Sequence, residues 1–325
     1  MRDERVAVLG GAGYLGTHIT RALLAEGAQV TILSRRPPAG SLQAGIAVQL
    51  LPQRPSAAAL SHALADSAAQ VVINAAGATQ GDARAMVQCN VRLARNLLEA
   101  ATMVPDKPRV VHIGSAAEYG AQPEGTAVTE LTGGSPTGVY GRTKLAGTGA
   151  VLEAIHGGAV RGTVLRVFNP IGPMSPASSV LGGIGVQLLR QRNLPMPLVE
   201  TGPLDAYRDF VDVRDVASAA LLAMRHEGPP PVVNVARGEA VSVRDLVRRL
   251  VQVSGVPARL LERPFLARHR SQDLAWQEAD LEVAKGELGW VPRYELHESL
   301  RDLWSAATTR VTEWAGGPDR RRSLD

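Results

Sequence analysis

The chain has 325 residues, of which 45% are hydrophobic and 20% are charged, and this composition excludes a disordered or fibrous protein. The formal charge is +4, but many of the excess basic residues lie in the C-terminal sequence DRRRSLD, and aromatic residues make up only 4%. Because nucleic-acid surfaces combine basic stripes with stacking aromatics, the composition argues against a nucleic-acid partner and fits an anionic small molecule.

The cysteine content and the hydropathy pattern indicate the compartment. Cys89 is the single cysteine, so no disulfide can form within the chain, and we expect this side chain to be a small buried hydrophobe. The first strand begins almost at the N-terminus, which leaves no room for a signal peptide, and no apolar run approaches the ~20 residues needed to cross a bilayer. These features predict a soluble cytoplasmic protein without a membrane partner, and no metal site is predicted.

Strands and helices alternate through the first half of the chain. RVAVLG (5–10), AQVTILSRR (28–36) and QVVINAAG (70–77) are predicted as the first, second and third buried strands. Helical spacing predicts a helix in YLGTHITRALLAEG, which ends at Gly27, and a long helix in QCNVRLARNLLEAATMV (88–104) before the strand RVVHIGS (109–115). This alternation predicts an α/β protein with a Rossmann-type, doubly wound parallel sheet.

The second half is less regular. Residues 120–138 are predicted as a long functional loop, followed by the helix YGRTKLAGTGAVLEAI and by the strand GTVLRVFNPIGP, which leads into a second loop over 169–185. Shorter, less regular elements, among them the sequence LGWVP, fill residues 186 to 315 and predict a smaller C-terminal α/β domain. The tail 316–325 is predicted to be disordered.

The glycine-rich turn LGGAGYLG predicts a phosphate cradle. Gly10, Gly13 and Gly16 follow the first strand and open the first helix. A backbone without Cβ atoms lets a pyrophosphate approach closely, and the helix N-terminus, with Tyr14 and Leu15, offers unpaired N–H groups and a positive dipole end. These five residues are therefore predicted to bind a dinucleotide.

The end of the second strand predicts which dinucleotide is bound. An acidic residue there would accept a hydrogen bond from the ribose 2′-hydroxyl of NAD, but this chain has Ser34, Arg35 and Arg36. A guanidinium matches a phosphate in a bidentate manner, so NADP(H) is favoured over NAD(H). The alternative is that both arginines are solvated surface charges.

A tyrosine and a lysine provide candidate acid–base chemistry. Tyr140 and Lys144 are four residues apart and therefore lie on one face of a predicted helix. A phenol titrates near pH 10, and a neighbouring ammonium lowers its pKa toward the range that proton exchange with a carbonyl or an alcohol requires.

Nearly the whole chain resembles the extended short-chain dehydrogenases/reductases that act on nucleotide sugars. The resemblance is carried by these residues and by the stretches GGAGYLG, INAAG, GSAAEYG, YGRTK, LRVFNP, RDFVDVRDVASA and LGWVP. The resemblance implies that Tyr140 is the proton donor or acceptor and that Lys144 also binds the nicotinamide ribose. It further implies that Ser115, four residues before the tyrosine of SAAEYG, hydrogen-bonds the reacting oxygen.

The resemblance also implies further contacts around the cleft. Ala75, Ala76 and Gly77 would line the nicotinamide side, while Asn90 matches a helix asparagine that the family uses mainly for structure. One departure concerns the adenine: where the family often has an acidic residue, this chain reads QLLPQRP.

The implied substrate contacts lie mainly in the second half of the chain. Asn169 and Arg208 fall where the family touches the nucleotide diphosphate, and Ala116 would lie beside the sugar. Arg268 or Arg270 would add a phosphate contact, although ARHRSQDLAWQEAD departs from the usual spacing. A solvated surface position is the alternative for each of these arginines.

Two alanines argue against one of the family's reactions. The sugar 4,6-dehydratases place an adjacent Asp and Glu directly after the Thr or Ser of this stretch, where the chain has Ala116 and Ala117. Glu118 comes one position later, and strand-like geometry would turn it to the opposite face. Dehydration is therefore disfavoured, and decarboxylation less firmly.

Carbonyl reduction and C4 epimerisation remain. Epimerases usually keep NAD tightly bound, whereas a reductase draws on exchangeable NADPH, so Arg35 and Arg36 favour a ketoreductase for an NDP-4-keto-6-deoxyhexose or a similar keto sugar. An epimerase is the alternative, and a non-catalytic NADP-binding sensor is a remote one. The sequence does not name the sugar, the nucleotide base or the stereochemistry.

The resemblance finally implies the domain organisation. The cofactor domain would comprise residues 1–165 and a return segment at 209–236, and the substrate domain residues 166–208 and 237–315. Helices around 85–103 and 140–155 would form the interface of a homodimer.

Overall fold

The structure is a computed structural model that describes residues 4–37, 45–263 and 275–315. The predicted disordered tail and the candidate phosphate ligands Arg268 and Arg270 lie outside the described residues. The strands are β1 (Arg5–Leu9), β2 (Gln29–Ser34), β3 (Ile46–Leu50), β4 (Val71–Asn74), β5 (Arg109–Ser115), β6 (Ala127–Val128), β7 (Gly162–Val167), β8 (Pro170–Ile171), β9 (Leu198–Thr201), β10 (Tyr207–Asp209), β11 (Val211–Asp212), β12 (Val232–Val235), β13 (Ala240–Ser242), β14 (Arg259–Glu262) and β15 (Glu278–Ala279). The helices are α1 (Tyr14–Ala25), α2 (Ala57–Asp66), α3 (Ala83–Val87), α4 (Leu93–Met103), α5 (Val139–His156), α6 (Val180–Gln191), α7 (Val213–Arg225), α8 (Val243–Ser254), α9 (Glu282–Gly286) and α10 (Leu296–Ala315).

A parallel sheet of seven strands, in the order β12-β7-β5-β4-β1-β2-β3, forms the centre of the molecule. Helices cover both of its faces, which confirms the predicted Rossmann-type doubly wound fold. Strand β1 shows why the apolar runs form this sheet. Val6 and Val8 pack into the cluster under α1 and α7, whereas Ala7 and Leu9 pack into the cluster under α2, α4 and α5, as the twofold alternation of a strand requires.

A third hydrophobic cluster lies outside the sheet. It joins α6, β9, α8 and α10 through residues such as Leu188, Val199, Leu246 and Leu300, all of them buried. Strand β12 and helix α7 come from the second half of the chain, yet β12 pairs with β7 and α7 packs on α1. The division into two interleaved domains at the predicted boundaries stays a prediction.

Several elements differ from the sequence-based expectation. Strand β3 and helix α2 precede the segment 70–77, which is therefore the fourth strand of the chain and not the third. Strand β3, with the sequence IAVQL, lies at the edge of the sheet and is only partly buried, although four of its five residues are apolar. The predicted loop 120–138 contains β6, and the predicted strand 162–173 is divided into β7 and β8.

The predicted helix 88–104 also has a different form. It begins earlier, at α3, and a π-helical turn at Gln88–Arg92 joins α3 to α4. Within the described ranges, no helix is both long enough and apolar enough to span a membrane.

Candidate active site

The glycine turn after β1 brings two of the predicted cofactor-binding stretches together. Gly10 has φ +81°, and a Cβ atom there would lie 2.8 Å from the Cα atom of Ala76. A side chain would therefore separate the turn from the segment Ala75–Gly77, which follows β4. This close approach explains why a glycine is required at the first position of the motif.

The N-terminus of α1 suits a phosphate. Gly13 is its N-cap, which has no side chain to cap the helix, and the first turn, with Tyr14, Leu15 and Gly16, contains no acidic residue. The first N–H groups of a helix have no partner within the helix, so they are directed at whatever lies before the N-cap. The cradle therefore fits a dinucleotide pyrophosphate.

The turn after β2 carries the predicted arginines at the same edge of the sheet. Ser34 orders this turn, because its hydroxyl donates to Arg36 O (2.7 Å) and accepts from Arg36 N (3.3 Å). Arg35 Nη1 lies 3.8 Å from the sulfur of Cys89, in the π-helical turn. Cys89 is half-buried, so the expected buried position was wrong, because this residue faces the cofactor edge instead of the core.

Buried polar side chains order the segment after β4. Asn74 Oδ1 accepts from Ala76 N (3.2 Å), and Asn74 Nδ2 donates to His112 Nδ1 (3.0 Å). Burial, followed by the charge of Lys144, holds the pKa of His112 well below its usual value. A neutral imidazole therefore fixes the asparagine that shapes the turn.

Asn90 in the π-helical turn joins that segment to α5. Its Oδ1 accepts from Ala78 N (2.8 Å), while its Nδ2 donates to Ala78 O and to Thr143 Oγ1 (both 3.0 Å). Thr143 lies one position before Lys144, so Asn90 connects the segment after β4 with helix α5. A π-helical turn at such a place is typical of functional sites.

Tyr140 and Lys144 lie on the first two turns of α5, as the sequence predicts. Lys144 is buried, and its ammonium donates to Ile113 O (2.5 Å), two residues before Ser115. Burial lowers the pKa of Lys144, and the carboxylate of Glu118 opposes this effect. A Cβ atom at Gly141 would lie 2.4 Å from Ala117 O, so the residue after Tyr140 is in direct contact with the segment that follows Ser115.

Ser115 ends β5 and begins a 3₁₀ turn, Ala116–Glu118, where the sequence predicted a strand-like continuation. The Ser115 hydroxyl accepts from Ala117 N (3.2 Å), and Glu118 Oε1 accepts from Ser115 N (2.8 Å), which forms a capping box. The Ala116 side chain packs into a buried cluster with Tyr119. Glu118 does point away from the site, but the reason is this turn and not strand alternation.

Asn169 is held against β10, the strand that carries Arg208. Asn169 Nδ2 donates to Asp209 O and to Gln277 Oε1, both at 2.7 Å, which places Asn169 beside the residue that follows Arg208. Arg208 is 7% exposed, and burial lowers its pKa to about 10. Because a desolvated guanidinium gains most from an anionic partner, this position is suited to a phosphate.

Two residues here were missed by the sequence analysis. Gln277 contacts Asn169, and it lies in a stretch with irregular spacing that gave no signal. Asp209 is completely buried and accepts from Arg237 N (2.8 Å), Gly238 N (2.9 Å) and Ala279 N (3.2 Å). Its burial raises its pKa to about 7. The sequence signal that could have identified Asp209 is its position as an acidic residue between Arg208 and the apolar residues Phe210 and Val211.

The described residues therefore bring the predicted elements to one edge of the sheet. The glycine turn, the arginines after β2 and the segment after β4 surround the dinucleotide cradle, while Ser115, Tyr140 and Lys144 lie on β5 and α5 beside it. Such an arrangement can bind a nicotinamide dinucleotide and exchange a proton with a carbonyl or a hydroxyl group. Within the described ranges, no group of three or more His, Cys, Asp or Glu side chains could hold a metal ion.

Comparisons with known proteins identify the family of the chain. The sequence model of the NAD dependent epimerase/dehydratase family matches residues 6–236. The chain is 39% identical to a dTDP-6-deoxy-L-talose 4-dehydrogenase (NAD(P)(+)) of Kitasatospora kifunensis over 94% of this chain and 96% of that protein. It is 29% identical to a UDP-glucose 4-epimerase of Azospirillum brasilense over 97% and 96%. The solved structure of RMD from Pseudomonas aeruginosa complexed with NADPH superimposes with a TM-score of 0.78 and 25% identity, covering 95% of this chain and 100% of that one.

Proposed function

Because the chain belongs to the NAD-dependent epimerase/dehydratase family, we propose that it is an NADPH-dependent ketoreductase for a nucleotide-linked 4-keto-6-deoxyhexose. Its relatives are NAD(P)-dependent nucleotide-sugar dehydrogenases, epimerases and dehydratases, and the chain is an NAD(P)-dependent enzyme of this group. The 39% identity to a dTDP-6-deoxy-L-talose 4-dehydrogenase carries the finer proposal. Reduction of a 4-keto sugar is the reverse of that dehydrogenation, so we propose a dTDP-linked substrate.

The proposed mechanism uses three side chains. Bound NADPH supplies the hydride for the carbonyl carbon. Tyr140 donates a proton to the carbonyl oxygen, and Ser115 hydrogen-bonds the same oxygen, where negative charge develops in the transition state. Lys144 lies one helical turn after Tyr140, and its positive charge stabilises the phenolate that remains after the proton has been donated.

The geometry around Ser115 supports reduction over dehydration. Elimination of water needs an acid and a base besides the tyrosine, and Ala116 and Ala117 can supply neither. Glu118 is 0% exposed and paired with Arg166, so its carboxylate is not available to a substrate.

The preference for NADPH rests on the turn after β2. Ser34 orders this turn, and Arg35 and Arg36 extend from it. Two guanidinium groups at the end of the second strand suit a 2′-phosphate, and an acidic side chain for the 2′-hydroxyl is missing from positions 34–36.

A 4-epimerase is the second candidate. The UDP-glucose 4-epimerase of Azospirillum brasilense, which matches the chain over 97% of its length, favours it. An epimerase oxidises and then reduces the same carbon, so it consumes no cofactor, and this property separates it from a reductase.

The deciding experiment mixes the protein with NADPH or NADH and a panel of nucleotide 4-keto sugars, and follows the absorbance of the reduced cofactor. We expect consumption of NADPH with a dTDP-4-keto-6-deoxyhexose, and Tyr140→Phe should lower kcat by about 10²–10⁴-fold while NADPH still binds. Conversion of a nucleotide sugar to an isomer without net cofactor use would support the epimerase. Cofactor binding without any turnover would support the sensor.

The oligomeric proposal is a homodimer through α4 and α5. Both helices expose one long face, and sedimentation of the purified protein tests the stoichiometry. A monomer at micromolar concentration would contradict this proposal.

A further inference from the structure

A buried carboxylate joins four elements next to the catalytic residues. Glu118 Oε1 accepts from Ser115 N (2.8 Å) and from Thr148 Oγ1 (2.9 Å), and Glu118 Oε2 pairs with Arg166 Nε (3.0 Å). We call Ser115, Glu118, Thr148 and Arg166 the Glu118 cluster. It connects the end of β5, the 3₁₀ turn, α5 and β7.

Stability alone does not account for this cluster. Burying a carboxylate and a guanidinium costs several kcal/mol per ion, and apolar side chains of similar volume are often as stabilising as a buried ion pair. The Arg166 side chain is 7% exposed, and its guanidinium also lies 4.7 Å from the centre of the Tyr119 ring. The cost is understandable if the cluster fixes one arrangement of the surrounding backbone.

We propose that Glu118 is a positioning residue for the reaction and acts through Ser115 and Lys144 without touching the substrate. This inference rests on the proposed function, because it assigns Glu118 a part in the same proton transfer. Glu118 fixes the N–H group of Ser115, and it thereby fixes the backbone that carries the hydroxyl. It also holds Thr148, which lies one turn after Lys144 on the same face of α5.

The charge of Glu118 adds an electrostatic effect. Lys144 is faced by Glu118 from the 3₁₀ turn and by His112 from β5, and Tyr140 lies one turn before it on α5. Arg166 on β7 binds the other oxygen of Glu118. Burial lowers the pKa of Lys144, and the negative charge of Glu118 raises it. Removing that charge should therefore make Lys144 lose its proton at lower pH, and Tyr140 would then lose its activating ammonium.

The test combines kinetics with a titration that needs no substrate. In protein labelled with ¹³C at lysine Cε, the Lys144 signal is assigned by its loss in Lys144→Arg and is followed against pH. In Glu118→Gln we expect the Lys144 pKa to be lower than in the wild-type protein, because the carboxylate charge that opposes the effect of burial is gone. We also expect kcat to fall at least about tenfold, with the alkaline limit of activity moved to lower pH and little change in KM.

Control variants separate charge from structure. Thr148→Val removes one hydrogen bond from the same carboxylate but keeps its charge, so the Lys144 titration should stay as in wild type. Glu287→Gln removes an exposed carboxylate far from α4 and α5 in sequence and should change neither kcat nor the titration. If Glu118→Gln does not fold, Glu118→Leu/Arg166→Met leaves no unpaired buried charge, and kcat should still fall at least about tenfold.

The outcomes are distinguishable. An unchanged Lys144 titration in folded Glu118→Gln overturns the electrostatic effect, whatever the substrate is, and with it the inference. Wild-type kcat in folded Glu118→Gln, or in the double variant, overturns the positioning role. Failure of the wild-type protein to convert any keto sugar instead contradicts the proposed function, and the titration still decides whether Glu118 acts on Lys144.

Discussion

Gly141 controls how closely α5 approaches the segment after Ser115, and Gly141→Ala tests whether this distance governs catalysis. The added Cβ atom would lie 2.4 Å from Ala117 O, whereas ordinary contacts begin at 3.4 Å, so the two backbones must separate by about 1 Å. A misplacement of about 1 Å can cost about 10²-fold in rate. We therefore expect kcat to fall about 10²-fold while NADPH still binds, because the glycine turn and the arginines after β2 are unaffected.

The stability of the same variant provides an internal check. Overpacking costs about 1–3 kcal/mol, and the helix gains about 1 kcal/mol from replacing glycine, so the free energy of unfolding should fall by no more than about 2 kcal/mol. Gly286→Ala is the matched control, because it adds the same methyl group to a helix, α9, where no atom lies within 4 Å. It should raise the stability by about 0.5–1 kcal/mol and leave kcat unchanged. Wild-type kcat in folded Gly141→Ala would refute the reasoning.

Three further results follow from the site. Arg35→Ser should raise the KM for NADPH about 10–100-fold, because this factor corresponds to the loss of one charge-assisted hydrogen bond. The KM for NADH should stay unchanged. Equal changes for both cofactors would contradict the 2′-phosphate assignment. Asn90→Ala removes three hydrogen bonds and should lower the free energy of unfolding in urea by about 2–4 kcal/mol, whereas a loss below about 1 kcal/mol would show that Asn90 does not connect the elements. Because burial lowers the pKa of Lys144, kcat/KM should decline at a pH below the ordinary lysine value of about 10.4. Over the same interval the free energy of unfolding should rise with pH, because the folded chain releases this proton before the unfolded chain does; a decline only at the ordinary value would contradict the assignment.

The central sheet could be predicted because its strands are buried on both faces. β1, β2, β4, β5 and β7 are short apolar runs that end in glycine or small polar residues, and the helices between them keep a regular helical spacing. β3 was missed although IAVQL is a short apolar run, because a run of this length does not by itself distinguish a strand from a segment of helix.

The site was predicted to the level of residue types but not of geometry. Ser115, Tyr140 and Lys144 have motifs with fixed spacing, and one helical turn separates the last two in any α-helix. The 3₁₀ turn after Ser115 has no comparable sequence signal, because the residues from Ala116 to Tyr119 are compatible with either extended or helical backbone. The hydrogen bonds of Glu118 to residues 30 and 48 positions away in sequence decide between these forms.

The position of the Glu118 carboxylate bears on which reaction the candidate site can carry out. In the dehydratases that the sequence resembles, acidic side chains after the serine or threonine do chemistry on the sugar. Here the nearest carboxylate is turned away from the cleft, where it binds the serine backbone, the catalytic helix and a buried guanidinium. The short buried turn therefore places its acidic group behind Ser115, where we propose that it tunes the proton transfer. A buried and ion-paired carboxylate provides no acid or base for the elimination of water, and this is the structural reason to test a keto sugar first.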